Sequence, residues 1–536
     1  MAQSTSSQGS SQRKTPGSPQ STYREPAVPP RHVLDQVSGR VLDPGTALTI
    51  KGVTPRSTVY VGPRLTISRT GDVATQIGQL DEVAEELGWD LDTSDADRDL
   101  AEHRRKLGLV RVQITVKDER AALAPDGWVL LQQARARFGI DAMKGVGLDH
   151  LMTLRSMGPN PYHAPDPYHA PDPYHAPDPY HAPDSSGVIA SYGYPGSGGR
   201  QPVAYVGPPP ARRPDSDFAG TRRPTVATLD TGCGEHPWLD HVVRHDVRLD
   251  GQPIGYVYDP TDPEKWPDQT GPLDGGIDEY AGHGTFISGL VLQGCPDANI
   301  VAWRVVGSSG PIVESDLVDA LSDIAELARR FRDGEPGGHP IDVLNLSMGY
   351  YHETPEDVLF DPTMYDILAL LGDCGTAVVC SAGNDATARP MFPAAFAPWA
   401  DGKGPKKPRK TRVPIVSVGA LNPNGTEAMF SNTGPWVRAL VRGAAVLSTL
   451  PPFQGGLEPL ARTEAYQRIR ETIDPDDFRG RFALWSGTSF AAPHFAGKVA
   501  AALVGTLGAE PGPRAKRRQA AARGWKVVET LTDLTP

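Results

Sequence analysis

The chain has 536 residues, a formal net charge of −11 and 39% hydrophobic residues, which together indicate a folded protein of roughly two to four domains. The mild acidity argues against nucleic acid or an anionic membrane surface as the main partner. The 4 cysteines are too few for a disulfide framework and lack the spacing of a zinc site, so we expect free thiols.

Residues 1–30 are rich in Ser, Gln, Pro and Gly and carry few apolar side chains. Such a segment cannot bury enough surface to offset its ordering entropy, so we predict a disordered tail. It contains no apolar run of the kind that a secretory signal needs. No segment of the chain has the uninterrupted apolar sequence expected of a membrane span. We therefore predict a cytoplasmic protein, while export by a route without a signal peptide stays open.

Residues 31–157 predict a small α+β domain. Alternating or apolar runs at Thr58–Ile67 and Leu109–Val116 are typical of strands, whereas Leu80–Leu87 and Trp128–Phe138 have helical periodicity. The size and position of this domain suit either a propeptide-like inhibitor or a module that recruits substrates.

A Pro-rich linker over residues 158–213 follows, with PYHAPD repeated without variation from Pro161 to Asp184. Two prolines in each six-residue unit disfavour helix and sheet and favour an extended polyproline II spacer. The regular histidines of the repeat could suggest metal binding, but the spacing holds them apart without a pocket, so we favour the spacer; they are His163, His169, His175 and His181.

From residue 214 to residue 536 the sequence is typical of an α/β domain. Short apolar runs indicate buried parallel strands at residues 226–229, 300–306, 343–346, 377–380 and 413–418. Between two of them, Asp316–Phe331 places its apolar residues on one helical face. The alternation predicts a mainly parallel sheet, with functional groups beyond the carboxyl ends of its strands.

Four polar residues occupy positions that suit such an edge. Asp230 ends a strand, His283 stands between glycines at the start of a helix, Asn384 follows a strand, and Ser489 opens a helix of small residues. Each has a plain structural interpretation as a turn residue or helix cap. Together they offer a carboxylate, a base, an amide donor and a hydroxyl nucleophile.

The surrounding motifs resemble those of the subtilisin-like serine proteases, in that family's order. They are DTG at 230–232, HGT at 283–285, SAGN at 381–384 and GTSFAAP at 487–493. The resemblance covers about residues 214–507 and implies a three-layer subtilisin-like domain with a mainly parallel central sheet. It also implies a substrate cleft that includes Ser347, Met348, Gly349 and Gly383.

The roles that the resemblance implies are those of an Asp/His/Ser triad. Ser489 would be the nucleophile, His283 the general base and then acid, and Asp230 the carboxylate that orients the imidazole. The side chain of Asn384 and the backbone N–H of Ser489 would form the oxyanion hole. The related acid-active serine proteases have no such histidine, so His283 favours a neutral or mildly alkaline optimum.

The remaining histidines of this region receive structural interpretations. We expect His494 to be packed within the helix that begins near Ser489, and His236, His241 and His245 to lie on the surface, since they lack a metal spacing.

The predicted function is therefore that of a serine endopeptidase acting on proteins or peptides. The sequence contains no evident cofactor or metal site, although the resemblance implies that calcium can bind. Its own N-terminal domain is a candidate inhibitor, and neither nucleic acid nor membrane is an expected partner. Two alternatives stay open: a non-catalytic binding protein on the same scaffold, and an esterase or acyl-transfer enzyme that uses the same nucleophile.

Overall fold

The computed structural model describes residues 25–117, 123–154, 189, 191–193, 196–204, 206–270, 277–308, 310–354, 363–454, 462–471, 477–508 and 514–535. The PYHAPD spacer and its four histidines lie outside these residues.

The N-terminal part is an antiparallel sheet packed against helices. Its elements are α1 (Arg31–Gln36), β1 (Gly39–Leu42), β2 (Thr58–Ser68), α2 (Val73–Glu86), β3 (Trp89–Asp92), α3 (Glu102–Lys106), β4 (Leu109–Val116), α4 (Gly127–Phe138) and β5 (Val146–Leu154). The strand order is β5-β2-β4-β3, and β1 pairs with β2. Asp72 and Asp126 cap α2 and α4 by accepting hydrogen bonds from Thr75 and Val129. This architecture agrees with the predicted α+β class.

The larger C-terminal part is built on a parallel sheet. Its elements are β6 (Gln201–Val203), β7 (Thr225–Asp230), β8 (Val243–Arg244), α5 (His283–Gly294), β9 (Asn299–Arg304), β10 (Ile312–Val313), α6 (Glu314–Asp333), β11 (Val343–Leu346), β12 (Met348–Gly349), α7 (Thr363–Cys374), β13 (Ala377–Ser381), β14 (Val416–Leu421), β15 (Ala439–Arg442), β16 (Val446–Thr449), β17 (Arg462–Ala465), β18 (Arg468–Glu471), β19 (Phe482–Trp485), α8 (Thr488–Leu503) and α9 (Arg514–Leu531). The main sheet has the order β15-β14-β13-β11-β7-β9-β8, and every neighbouring pair is parallel.

Helices cover both faces of this sheet and make three layers. Successive residues of a strand point to opposite faces, so Ala227 packs in the core formed with α6 and α7, whereas Val226 packs in the core formed with α5, α8 and α9. The predicted fold class is confirmed, and the predicted strands and the long helix at 316–331 lie within or beside β7, β9, β11, β13, β14 and α6.

Helices α5 and α8 approach each other closely beneath one end of the sheet. A Cβ atom on Gly294 would lie 2.9 Å from the Cα atom of Gly497, so neither glycine leaves room for a side chain. This contact brings together the two helices that begin at His283 and Thr488.

Strand β5 joins the N-terminal sheet to the C-terminal part. It pairs with β2 on one side, and its last residues pair antiparallel with β10 and with β12. Sequence analysis did not predict this strand.

The four cysteines are free thiols, as predicted. None of the helices within the described ranges combines the length and apolar character that a membrane crossing requires.

Candidate active site

Asp230 lies at the carboxyl end of the central strand β7 and has no exposed surface. A buried carboxylate is costly unless donors surround it. Its Oδ1 atom accepts hydrogen bonds from the backbone N–H of Thr231 at 2.8 Å and from Nδ1 of His283 at 2.7 Å. The aspartate predicted from the DTG motif is therefore hydrogen-bonded to the predicted histidine.

His283 is the first residue of α5, and glycines on both sides allow it to lie there. Gly282 has a φ of 80°, and a Cβ on Gly284 would lie 2.0 Å from the carbonyl oxygen of Gly232. The imidazole is fully buried, with its ring centre 5.6 Å from that of Trp485 and 5.1 Å from that of Phe490. Because Nδ1 donates to Asp230, Nε2 carries the lone pair, and it has no hydrogen-bond partner among the described residues.

Ser489 is the second residue of α8, where backbone N–H groups lack intrahelical partners. Its hydroxyl donates to the carbonyl oxygen of Ser347 at 3.1 Å, and the Ser347 hydroxyl donates to the carbonyl oxygen of Ser489 at 2.9 Å. Pro493, four residues later, has no N–H to offer that carbonyl. Ser347 therefore satisfies an acceptor that the proline of the helix leaves open.

The side chain of Asn384 lies beside the start of α8. Its Oδ1 atom accepts hydrogen bonds from the backbone N–H and the hydroxyl of Thr488 at 3.0 and 2.8 Å. These bonds fix the amide so that Nδ2 is the free donor, and in the described part of the chain Nδ2 has no partner although it is enclosed. Gly383 before it has a φ of 107°, and a Cβ there would lie 2.2 Å from Nδ2 of Asn432.

Among the predicted cleft residues Ser347, Met348 and Gly349, Ser347 exchanges hydrogen bonds with Ser489. Two of them form β12, and the opposite wall of the cleft is β10. The chain's own strand β5 lies between these walls, with Leu154 opposite Met348, Thr153 opposite Gly349 and Met152 opposite Ile312.

Sequence analysis missed one acidic residue at this site and misplaced one histidine. Glu264 is 3% exposed and contacts the residues that follow Asp230 and His283; no motif marks it. The expectation that His236 lies on the surface is wrong, because it is 1% exposed and hydrogen-bonded to the carbonyl oxygen of Arg481 and the backbone N–H of Trp238. His241 and His245 are exposed, and His494 is half-buried in α8.

The calcium that the family resemblance implies takes side-chain and backbone oxygens as its ligands. Within the described ranges, the one group of three or more histidine, cysteine or acidic side chains with converging donor atoms is His150, His352 and Glu353. Calcium prefers six to eight oxygen ligands, whereas two of these three donors are nitrogens. This group does not fit calcium.

A sequence model of the subtilase family matches residues 221–509, more than half of the chain, and it spans all four predicted catalytic positions. The chain belongs to the subtilase family. The fold and the order of Asp230, His283, Asn384 and Ser489 along it agree with that membership.

Curated relatives of this subtilase include several named serine proteases. It is 24% identical over 290 residues to the intracellular serine protease of Paenibacillus polymyxa, covering 51% of this chain and 65% of the relative. It is 22% identical over 291 residues to the major intracellular serine protease of Bacillus subtilis (strain 168), covering 51% and 66%. Subtilisin Savinase of Lederbergia lenta is 27% identical over 288 residues, with 52% of this chain and 75% of that protein covered. The chain thus spans less than two thirds of the first two of these relatives.

Among solved structures, fervidolysin from Fervidobacterium pennivorans, a keratinolytic enzyme related to subtilisin, matches with 18% sequence identity and a TM-score of 0.43. That match covers 87% of this chain and 57% of fervidolysin.

Proposed function

We propose that this subtilase is a serine endopeptidase that cleaves peptide bonds through an acyl-enzyme. The observation that carries the proposal is the buried hydrogen bond between Asp230 and Nδ1 of His283, which leaves Nε2 as a base beside the helix that carries Ser489. A serine hydroxyl is a weak nucleophile without such a base.

In the proposed reaction, the Ser489 hydroxyl turns from the carbonyl of Ser347 to Nε2 of His283 and attacks the scissile carbonyl. His283 takes the hydroxyl proton and returns it to the leaving amine, and Asp230 stabilises the imidazolium that forms between these steps. A hydroxyl that already has an acceptor in the resting state is consistent with catalytic hydrogen bonds that tighten only when substrate is bound.

Stabilisation of the tetrahedral oxyanion is assigned to two donors. Nδ2 of Asn384 is enclosed and has no partner in the described residues, and the backbone N–H of Ser489 lies at the start of α8. An unpaired donor held by two hydrogen bonds on its own oxygen is preorganised for an anion that develops only in the transition state.

The walls of the cleft favour a peptide over the two alternative functions. Strands β10 and β12 both pair with an extended chain through main-chain hydrogen bonds, a mode of recognition that peptides offer and simple esters lack. A non-catalytic binding protein would not need an intact set of Asp230, His283, Asn384 and Ser489.

We also propose that the N-terminal domain restrains this activity by filling the cleft. Met152 and Leu154 of β5 are 0% and 2% exposed and belong to the same apolar core as Ile312 and Met348. A substrate strand that pairs with β10 and β12 must displace β5 first.

Polar contacts outside the cleft add to this restraint. Arg104 makes a two-bond contact to Asp323 of α6, with distances of 2.8 and 2.6 Å. Asp149 of β5 accepts hydrogen bonds from the backbone N–H and hydroxyl of Ser315 at 3.0 and 2.9 Å, and it thereby caps α6. The domain is held by charge pairing and helix capping as well as by the strand.

His150 of β5 forms the most buried ionic contact between the two parts. Its Nδ1 lies 2.6 Å from Oε2 of Glu314 and its Nε2 lies 2.7 Å from Oε2 of Glu353. Burial by itself lowers the pKa of His150, but the two carboxylates outweigh it and raise the pKa to about 10. These contacts are consistent with a protonated His150 that donates a hydrogen bond to each of two carboxylates of the protease domain.

Attachment through the linker strengthens even a weak inhibitor. A tether keeps the domain at an effective concentration that can reach the millimolar range, so a domain of modest affinity stays bound while the chain is intact. Cutting the chain between residues 154 and 216 removes this advantage. A recruiting module that moves independently on the spacer is the alternative.

Replacing Ser489→Ala or His283→Ala should each abolish nearly all peptide hydrolysis without unfolding the protein, because either change removes the activated nucleophile. The losses should be strongly non-additive in the double variant. A fluorophosphonate probe should label Ser489 and no other residue, as mass spectrometry of labelled peptides would reveal. A double variant slower than each single variant by a second factor as large as the first would contradict one catalytic unit.

The variant Asn384→Ala should lower kcat by about 10² to 10³ with little change in KM, since the amide acts mainly on the transition-state oxyanion. This magnitude is carried over from subtilisin, a member of the same family. Steady-state kinetics on a peptide substrate give both constants. An effect confined to KM would place Asn384 in ground-state binding.

Cutting an engineered site in the linker after folding should raise hydrolysis of a short peptide, because the N-terminal domain then dissociates or is digested. The matched control is the uncut chain with the same engineered sequence. Unchanged turnover of the short peptide, with reduced turnover only of a protein substrate, would overturn restraint in favour of recruitment.

Binding of the cut N-terminal domain should weaken about tenfold for each unit of pH between 6.5 and 10. Free His150 has an ordinary pKa of about 6.5, and docking raises it to about 10, so docking takes up a proton in this window. Burial lowers the pKa of His352 to about 4. Docking therefore releases a proton from His352 only below a pH of about 6.5, which is outside this window.

The measurement is sedimentation of the cut Ser489→Ala protein at several pH values, which reports the fraction of N-terminal fragment still bound. The variant His150→Gln should bind with little pH dependence from 7 to 9. A slope that persists in that variant would assign the proton to another group.

A further inference from the structure

Glu264 is a buried acidic residue that the proposed chemistry does not use. It precedes α5 in the chain and is 3% exposed. Its carboxylate accepts hydrogen bonds from the end of β7 and from the start of α5. The Thr231 hydroxyl donates to its Oε1 atom at 2.5 Å, the Thr285 hydroxyl to Oε2 at 2.5 Å, and the backbone N–H of Gly284 to Oε1 at 3.0 Å. The backbone N–H of Thr285 lies 3.4 Å from Oε1.

These donors belong to the residues that adjoin the catalytic pair. Thr231 follows Asp230 at the end of β7, whereas Gly284 and Thr285 follow His283 at the start of α5. The Thr231 hydroxyl also lies 3.2 Å from Oδ1 of Asp230 and accepts the N–H of Gly284 at 2.7 Å. One carboxylate therefore ties the strand end that carries the aspartate to the helix start that carries the histidine.

The contacts of Glu264 fit its ionised form. Burial raises the pKa of Glu264 to about 7, against the hydroxyls of Thr231 and Thr285, which lower it. Its contacts are two backbone N–H groups, which can only donate, and two threonine hydroxyls, which are able to donate, and all four suit an ionised carboxylate. An anion at the first turn of α5 is also favoured by the helix dipole.

We propose that Glu264 is a positioning residue for the Asp230–His283 pair: it fixes the distance between the strand end and the helix start, and it adds a second negative charge beside the residues that follow the pair. This inference rests on the proposed function. Other titratable side chains also face this pair in the described residues. Asp262 and Cys233 lie near Glu264, and Glu279 and Tyr280 lie near His283.

The consequence for catalysis has two parts. A looser Asp230–His283 pair would present Nε2 less often in the reactive orientation, which lowers kcat and leaves KM unchanged. A negative charge near an imidazole stabilises its protonated form, so removing the charge weakens that stabilisation. The acid limb of the pH profile then moves to lower pH.

The test compares Glu264→Gln with Glu235→Gln, which makes the same chemical change on an exposed glutamate nearby. Each variant and the parent are folded as the full chain and then cut at the engineered linker site, so that the N-terminal domain does not mask the effect. We expect Glu264→Gln to lower both kcat for a peptide and the rate at which a fluorophosphonate labels Ser489 by about tenfold or more. KM should stay within twofold, roughly, and the acid limb of the labelling profile should shift to lower pH. Glu235→Gln should match the parent protein.

The variant Glu264→Asp separates position from charge. It keeps the carboxylate but shortens its reach, so kcat should fall while the acid limb stays in place. If Glu264→Gln does not fold, Glu264→Asp decides: a kcat equal to that of the parent overturns the inference. Equal kinetics and pH profiles for folded Glu264→Gln and the parent would also overturn it. Absence of hydrolysis and labelling in the parent after its linker has been cut would instead contradict the proposed function.

Discussion

The carboxylate of Asp230 has no exposed surface, and this burial constrains everything around it. A charge without water needs donors at fixed positions, and the Thr231 N–H and His283 Nδ1 are those donors. The strand end and the helix start must therefore meet closely, which the contact of Gly284 with Gly232 permits. The same burial excludes the water that would weaken the attraction between Asp230 and a charged His283.

A second constraint comes from the edges of β10 and β12 that face the cleft. Strand edges offer main-chain donors and acceptors to any extended chain, and β5 occupies them in the described structure. The polar side chains of β5 make this occupation specific, because Asp149 and His150 meet Ser315, Glu314 and Glu353. A strand with only apolar side chains would bury as much surface without the dependence on proton concentration.

Sequence analysis predicted the parallel sheet and the four candidate catalytic positions because both depend on local signals. Apolar runs mark buried strands, and the family motifs mark their ends. It did not predict β5, whose sequence VGLDHLMTL does not alternate, because Asp149 and His150 are buried through partners more than 150 residues away. Glu264 was missed for the same reason, since its burial follows from the meeting of β7 and α5, which no nearby residue encodes.

The register of β5 relates the occupied cleft to the proposed chemistry. Leu154 lies opposite Met348 in an antiparallel pair, so a substrate strand in this register would bring its next residue opposite Ser347. The Ser347 carbonyl is the acceptor of the Ser489 hydroxyl, and the carbonyl of that next residue is thus the one nearest to the nucleophile. In the proposed reaction, recognition by the strand edges and attack by Ser489 are therefore coupled. A shift of register by one residue would turn the side chains to the wrong faces and move the reacting carbonyl away from Ser489.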